Sequence, residues 1–362
     1  MAISSLKPVN YLPSMNSEPT RLRISLRDIA KKVGVSHVTV SLALRNHPRI
    51  SEPTRAKIRQ AADEMGYRPD PMLAALAHYR KDKTQTQLTA GIAWINAWPD
   101  SSALRRHKEF DFYWQGAFAA ADKFGYRLEE FRLDQQYTPQ RLHQILSTRG
   151  IGGLLLPPHN PPPDWGDFPW EEYSVVRFGR SLPNPRMHLV TSDQVANSIL
   201  AFDEIRNLGY KRIGLVINEV SIRRGGHYFE GGFLMAQRAV PENDRVPVFS
   251  FGNLSTTAQA RAIEAWILKH KVDAIFTDVV EVPELLTKQK ISVPDDIGVA
   301  ATTVLDAKVD AGINQEPEEI GRVGFLMLNS LINDGSRGIP SIFRQVLVEG
   351  SWVNGASLPS RL

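Results

Sequence analysis

Residues 26–71 read LRDIAKKVGVSHVTVSLALRNHPRISEPTRAKIRQAADEMGYRPDP, and this stretch decides the fold of the N-terminal part of the chain. From Ser25 to Val33, apolar residues recur at the spacing of one helix face, which predicts a helix that Ser25 can cap. Gly34 ends this helix, a second is predicted from Ser36 to about Arg45, and Ser51 can cap a third. Two helices joined by a short turn containing glycine, with a third behind them, predict a helix-turn-helix.

The second predicted helix has one apolar side and one side that must face outward. At about 100° per residue, Ala43 and Leu44 lie on the same side as Val40 and can pack against the other helices. The opposite side carries Val38, Ser41, Leu42 and Arg45. His37 lies in the first turn of the helix. A recognition helix presents such an outward row to base edges in the major groove, so the pattern predicts a DNA-reading helix.

Charge is unevenly distributed along the chain. Residues 1–83 carry 15 Lys+Arg and 7 Asp+Glu, a net of +8, whereas the whole chain has a net charge of +4. A basic end on a mildly acidic body is typical of a nucleic-acid-binding module attached to another domain. A solvated basic face without a partner would have the same composition.

Composition and the first residues exclude several classes of protein. The chain has no cysteine, so disulfides and thiolate metal sites are excluded. No run approaches the roughly 18 apolar residues of a membrane helix. The first twenty residues lack the apolar segment of a secretory signal. We therefore expect a cytoplasmic protein without a membrane partner, metal or cofactor, with residues 1–24 as a flexible leader.

From about Leu88, short apolar runs alternate with helical patterns. This alternation predicts a mostly parallel, doubly wound α/β architecture, and its length predicts two lobes. The strand candidates are 91–95, 127–133, 152–157, 174–179, 188–193, 212–217, 246–251, 274–278, 297–302 and 344–350. The predicted organisation is a leader (1–24), a helix-turn-helix domain (25–69), a hinge helix with a polar linker (70–87) and a two-lobe effector-binding and dimerisation domain (88–362).

The quoted stretch resembles the lactose/galactose-repressor (LacI-type) family of bacterial regulators. The ordered pattern of that family is matched by Asp28, Ile29, Ala30, Gly34, Val35, Ser36, Thr39, Val40, Ser41, Ile50, Ser51, Thr54, Arg55, Gly66, Tyr67 and Pro69. A weaker similarity continues through residues 208–217, 291–300 and 313–324. The resemblance implies a transcriptional regulator, with a repressor favoured. Such a regulator binds double-stranded operator DNA as a homodimer under the control of a small-molecule effector, with a sugar favoured.

The resemblance also assigns roles to residues of the DNA-binding domain. The positions that match phosphate-backbone contacts are Ser36, Thr39, Ser51, Thr54 and Tyr67. The positions that match base-reading contacts are His37, Val38, Ser41 and Arg45. Leu42 stands where an arginine is frequent in the family, and leucine can make only an apolar contact, such as with a thymine methyl. Leu76 matches a hinge leucine that enters the minor groove, although it could instead pack on the sensing domain.

For the larger domain, the resemblance implies two Rossmann-like lobes, three chain crossings between them and a ligand at the C-terminal ends of the strands. The candidate effector-binding residues are Asn96, Trp98, Arg180, Asp193, Phe229, Asp278 and Thr303. We expect Arg180 and Asp278 to line the cleft between the lobes. Phe229, Val279-Val280 and Thr303 replace groups with which the family grips polyhydroxyl ligands, so an atypical effector is an open alternative. Trp114 could stack on a ligand or belong to the core.

Two other classes of function are disfavoured. The chain has no phosphate-binding P-loop, nucleophile elbow, zinc-protease motif or dinucleotide fingerprint, so an enzyme is not expected. A solute-binding transport protein would share the two-lobe fold, but it would require a secretory signal and would lack the DNA reader.

Overall fold

The structure is a computed structural model that describes residues 24–44, 50–65, 67, 90–134, 137–252 and 254–362. The chain divides into two units, Met1–Gln87 and Leu88–Leu362. Several elements predicted from the sequence lie outside the described residues. They are the leader up to residue 23, Arg45, and the hinge and linker with Leu76.

Three helices form the described part of the N-terminal unit, namely α1 (Leu26–Val33), α2 (His37–Leu44) and α3 (Glu52–Glu64). Each helix contributes at least one residue with no exposed surface to a shared apolar core: Ile29 from α1, Val40 and Ala43 from α2, and Ile58 from α3. Isolated helices of this length are marginal in water, so packing of their apolar stripes holds the three together. This confirms the predicted helix-turn-helix.

Local capping sets where α1 begins and ends. Ser25 and Asp28 form a reciprocal capping box, in which the Asp28 amide donates to Ser25 Oγ and the Ser25 amide donates to Asp28 Oδ2 at 2.8 Å. Gly34 takes the left-handed conformation at φ 79°, and its amide donates to the Ala30 carbonyl at 2.9 Å. This geometry favours glycine and turns the chain into α2.

The larger unit contains two six-stranded sheets. The strands of the first sheet are β1 (Ala90–Asn96), β2 (Tyr126–Arg132), β3 (Gly153–Leu156), β4 (Ser174–Phe178), β5 (His188–Ser192) and β11 (Gln345–Val348). Their order is β11-β5-β4-β3-β1-β2, and all neighbours are parallel. Buried residues cover both faces of this sheet, as a parallel sheet between helices requires.

The second sheet follows the same plan with one reversed edge. Its strands are β6 (Ile213–Ile217), β7 (Phe249–Ser250), β8 (Ala274–Thr277), β9 (Gly298–Ala301), β10 (Gly312–Asn314) and β12 (Ser351–Val353). Their order is β12-β10-β9-β8-β6-β7, with β12 antiparallel to β10. The two sheets confirm the predicted two-lobe α/β architecture.

Helices connect and cover the strands of this unit. They are α4 (Ala103–Arg106), α5 (Lys108–Lys123), α6 (Pro139–Thr148), α7 (Gln194–Asn207), α8 (Glu219–Gly225), α9 (Tyr228–Gln237), α10 (Thr256–His270), α11 (Val282–Lys288) and α12 (Pro317–Asp334). Helices α5 and α12 approach closely at two glycines, Gly116 and Gly321. A Cβ atom at either position would collide with the backbone of the facing helix.

The chain passes between the two sheets three times, after β5, after β10 and after β11. Side chains tie these crossings to one another. Ser192 Oγ donates to Gln315 Oε1 at 2.5 Å, and the Gly350 amide donates to Asn197 Oδ1 at 2.7 Å. The crossings therefore form one hydrogen-bonded hinge region between the lobes.

The strand candidates and the observed strands differ at three places. The interval 246–251 contains only the two-residue β7, because Pro247 has no amide hydrogen and the Val246 carbonyl accepts from Gln237 Nε2 at 2.8 Å. Strands β10 and β12 were not predicted. Each has three residues, which is too short for a repeat of apolar and polar positions to be recognised.

Candidate DNA-reading helix and effector pocket

Helix α2 has a buried side and an outward side, as the helical wheel predicts. Val40 has no exposed surface, whereas Val38 is 53% exposed and His37 is exposed. Ser41 and Leu42 are half-buried. Leu42 does not belong to the group of described hydrophobic residues that pack on the helical core, which includes its neighbour Leu44.

Two pairs of hydroxyl groups lie at the N-termini of α2 and α3. Ser36 Oγ accepts from the Thr39 amide at 3.0 Å and shares a 2.8 Å hydrogen bond with Thr39 Oγ1. Ser51 has the position of an N-cap, but its hydroxyl bonds Thr54 Oγ1 at 2.9 Å and makes no capping bond to an amide, which corrects the expected cap. Hydroxyl groups at helix N-termini are suited to holding phosphate oxygens.

Tyr67 is the remaining described residue that was predicted to contact the phosphate backbone of DNA. Its amide donates to the Ala62 carbonyl at 2.9 Å, and its side chain is partly buried against the helical core. Arg45 and Leu76 were also predicted to contact DNA, and they lie outside the described residues.

In the first lobe, polar side chains after β1 hold a loop together. Asn96 is 1% exposed, and its amide group donates to the Ser101 carbonyl and to Glu130 Oε1, both at 2.8 Å. Asn96 Oδ1 accepts from the Trp98 amide at 3.0 Å, and the Trp98 indole donates to the Pro158 carbonyl at 2.9 Å. The polar groups of Asn96 and Trp98 are thus engaged inside the lobe.

His159 lies beside this loop and is fully buried. Its Nε2 accepts from the Ala97 amide at 3.0 Å. Burial lowers the pKa of His159 to about 4, so the ring is neutral near pH 7. Trp114 is partly buried against the core of the same lobe, where it meets Trp94 edge-on at 5.5 Å and carries the Arg105 guanidinium over its ring.

Arg180 and Asp193, which follow β4 and β5, line one pocket of about 340 Å³. We name it the Arg180 pocket. The Asp193 carboxylate caps α7 by accepting from the Ala196 amide at 3.0 Å. Arg180 Nη1 donates to Gln345 Oε1 at 2.9 Å, and its guanidinium lies 3.8 Å from the ring centre of Tyr228. Because Tyr228 begins α9 of the other lobe, this cation–π contact joins the two lobes.

The remaining lining of the Arg180 pocket is mostly apolar. It consists of Gln194, Val195, Ala196, Ile199 and Leu347. Among the described residues, the buried Arg180 Nε has no hydrogen-bond partner. The pKa of Arg180 is lowered, chiefly by burial, while Tyr228 and Asp193 oppose that shift.

Asp278 and Thr303 lie elsewhere, in a cavity of about 30 Å³ at the ends of β8 and β9. That volume accommodates about one water molecule. Asp278 Oδ1 accepts from the Asn218 amide at 2.9 Å, and Val279 and Val280 line the same cavity. The structure therefore places Arg180 and Asp278 in separate cavities and does not bring them together.

Phe229 lines neither of these two cavities. It packs on the core of the second lobe, with its ring centre 6.4 Å from that of Phe276, and its carbonyl accepts from Ser198 Oγ at 2.8 Å. The preceding residue, Tyr228, is the one that reaches the Arg180 pocket. The sequence analysis selected Phe229 for the pocket, whereas the structure places its neighbour Tyr228 there.

A second contact between the lobes involves Asp306, which the sequence did not single out. Its carboxylate accepts from the amides of Lys108 at 3.0 Å and Glu109 at 3.3 Å, at the N-terminus of α5. A carboxylate at a helix N-terminus is favourable. Burial raises the pKa of the adjacent Glu109 to about 7, against a hydrogen bond from the Tyr113 hydroxyl that lowers it.

The described residues show neither a membrane-crossing helix nor a metal cluster. None of their helices has both the length and the apolar character needed to cross a membrane. Within the same ranges, no group of three or more His, Cys, Asp or Glu side chains is arranged to hold a metal ion.

Comparison with known proteins agrees with this arrangement. The family model described as "Bacterial regulatory proteins, lacI family" matches residues 25–70. The GalR regulator of Escherichia coli is 25% identical over 238 residues, which cover 65% of this chain and 66% of GalR. DegA of Bacillus subtilis is 26% identical over 55% of this chain and 57% of DegA. The chain thus spans less than two thirds of these two relatives.

The match to the CytR repressor of Escherichia coli is longer, at 25% identity over 87% of this chain and 91% of CytR. Among solved structures, the CelR–cellobiose complex has 19% identity and a TM-score of 0.53, over 92% of this chain and all of that one. A regulator from Enterococcus faecium with bound ribose has 16% identity and a TM-score of 0.54, over 75% of this chain and all of that one. At these identities the two structures support the fold alone.

The chain thus combines a helix-turn-helix, whose second helix has an outward side, with a two-lobe α/β unit. Residues 25–70 of this helix-turn-helix part match the lacI family model. The resemblance inferred from the sequence is therefore confirmed.

Proposed function

We propose that this chain is a transcriptional regulator that binds double-stranded operator DNA as a homodimer and acts as a repressor. The observation that carries the proposal is α2, whose outward side leaves His37 and Val38 exposed within a domain of the lacI family. One recognition helix reads only a half-site, so two copies of the chain are needed for a pseudo-palindromic operator. The chain acts in the cytoplasm, where the DNA is, and it has no catalytic role.

We further propose that a small-molecule effector bound between the two lobes controls operator affinity. The Arg180 pocket supports this, because its lining comes from both lobes and includes Tyr228 of the second. A ligand that holds the lobes in one arrangement changes operator affinity only if it binds the two arrangements unequally. Cellobiose and ribose are bound by two regulators of similar fold, which makes a sugar the starting candidate.

Selection of bound sequences from a random duplex library tests the DNA-binding role of the full chain. We expect enrichment of a pseudo-palindrome protected by two copies of the protein. The His37→Ala variant should bind the selected site more weakly and melt like the parent protein, because His37 is exposed and away from the core. His227→Ala removes another exposed histidine, from the other unit, and serves as the control. No enrichment, or equal losses for both variants, would contradict the proposal.

A further inference from the structure

The chemistry of the Arg180 pocket differs from that of a site for a polyhydroxyl ligand. Its walls include the apolar side chains of Val195, Ile199 and Leu347, so about half of its lining offers no hydrogen bond. A hydroxyl group buried without a partner is unfavourable by a few kcal/mol. A ligand that carries hydroxyls on most of its carbons would leave several of them unpaired against these walls.

Among the described polar side chains that line the Arg180 pocket, the one cation is Arg180. Arg180 is bound to Gln345 through Nη1 only, whereas its Nε is buried and has no partner among the described residues. A guanidinium presents parallel N–H groups that match the two oxygens of a carboxylate. The guanidinium that lines the pocket can therefore pair with an incoming carboxylate, which also brings a negative charge.

The surrounding charges favour an anion at this place. Burial, helped by the charges of Arg180 and Arg186 and opposed by Tyr228, lowers the pKa of Arg177 to about 10. The carboxylate that lines the pocket is Asp193, and one of its oxygens already caps α7. Of the described residues that line the pocket, Arg180 is the cation, and the one carboxylate, Asp193, is already engaged at α7.

The aromatic ring of Tyr228 defines the other half of the site. It lies over the Arg180 guanidinium at 3.8 Å and is 40% exposed, so one side of the residue is accessible. An apolar or aromatic ligand body would extend the same apolar surface, which continues into Ile199 and Leu347.

We propose that the Arg180 pocket binds a small organic monocarboxylate with an apolar or aromatic body, and that this is the chemical class of the effector. The carboxylate pairs with Arg180, and the body packs between Tyr228 and the apolar wall. This inference rests on the proposed function, because it takes the chain to be an effector-controlled regulator. It replaces a neutral sugar with an acid as the preferred class.

Benzoate is the probe that tests the charge and the body together. Titration calorimetry of the full chain should show benzoate binding at least about tenfold more tightly than benzamide, a difference of about 1.4 kcal/mol. Glucuronate keeps the carboxylate but has a hydroxylated body, and it should also bind more weakly than benzoate. Glucose and ribose should be the weakest of the set.

Two variants locate the binding. Arg180→Gln should lose benzoate binding, whereas Arg186→Gln, which removes the same charge from an exposed side chain stacked on Phe343, should retain it. Melting temperatures of both variants show whether they are folded. Tighter binding of glucose or ribose than of benzoate, equal binding of benzamide, or benzoate binding by folded Arg180→Gln would overturn the inference. Binding of operator DNA without ligand tests the proposed regulatory function separately. Failure of the proposed function is therefore distinguished from failure of the proposed ligand class.

Discussion

Replacing Leu42 with arginine should change which base pair the protein prefers and leave its stability nearly unchanged. Leu42 is half-buried, lies on the side of α2 opposite Val40, and is not packed on the helical core. Substitutions at such positions usually alter the free energy of unfolding by less than about 0.5 kcal/mol. An arginine that bonds guanine through both nitrogens contributes about 1–3 kcal/mol of discrimination against other bases. That corresponds to a preference of roughly 5- to 150-fold.

The assay is a selection from a random duplex library, carried out in parallel with the parent protein, Leu42→Arg and Leu42→Ala. The parent should select an A·T pair at one position of each half-site, since leucine can contact a thymine methyl. Leu42→Arg should select guanine at that position, and Leu42→Ala should lose the preference there without gaining a new one. Identical consensus sites for the three proteins would show that residue 42 does not read DNA.

Three further predictions concern the lobes of the larger unit. Asp306→Ala removes two hydrogen bonds that the Lys108 and Glu109 amides at the N-terminus of α5 donate to the Asp306 carboxylate, each worth about 1.5–3 kcal/mol. Hydrogen exchange of those two amides should therefore accelerate, and unchanged exchange would contradict an inter-lobe contact. Burial raises the pKa of Glu109 to about 7, above its value in the unfolded chain. The contribution of Glu109 to the free energy of unfolding is therefore complete below about pH 4.5 and is lost as the pH rises through about 7. Urea unfolding should show this loss in the parent protein and not in Glu109→Gln. Gly321→Ala would force a Cβ against the Tyr113 carbonyl and should destabilise the protein by about 3 kcal/mol or more. Gly335→Ala meets open space and only a positive φ, so it should destabilise by about 1–2 kcal/mol. Equal losses of stability in thermal unfolding would contradict the close packing of α5 and α12.

The DNA-binding domain could be predicted in detail because its signals are local. Caps, the turn at Gly34 and the apolar face of α2 all follow from residues three or four positions apart. Ser51 is the N-cap residue of α3 as predicted, but its hydroxyl bonds the Thr54 side chain instead of an amide, and sequence spacing does not distinguish these two partners.

The pocket was less predictable, because its residues come from distant parts of the chain. Arg180 was identified, but Tyr228 and Leu347 reach it only through the chain crossings that place α9 and β11 beside β4. Polar residues at strand ends were a poor guide, since Asn96 uses its side chain to hold its own loop. Whether such a residue faces a ligand or a neighbouring loop depends on tertiary contacts that no local pattern encodes.

The ratio of specific to non-specific DNA affinity is the most direct test of the account. Fluorescence anisotropy would compare the full chain on its selected operator and on a duplex of the same length and composition in scrambled order, over a range of salt concentrations. We predict that the operator binds at least about 10³-fold more tightly at physiological salt. Both affinities should fall steeply with salt, because each neutralised phosphate contributes about 0.9 to the logarithmic slope. Equal affinity for the two duplexes, or affinity that does not change with salt, would contradict the claim that this chain is a sequence-specific DNA-binding regulator.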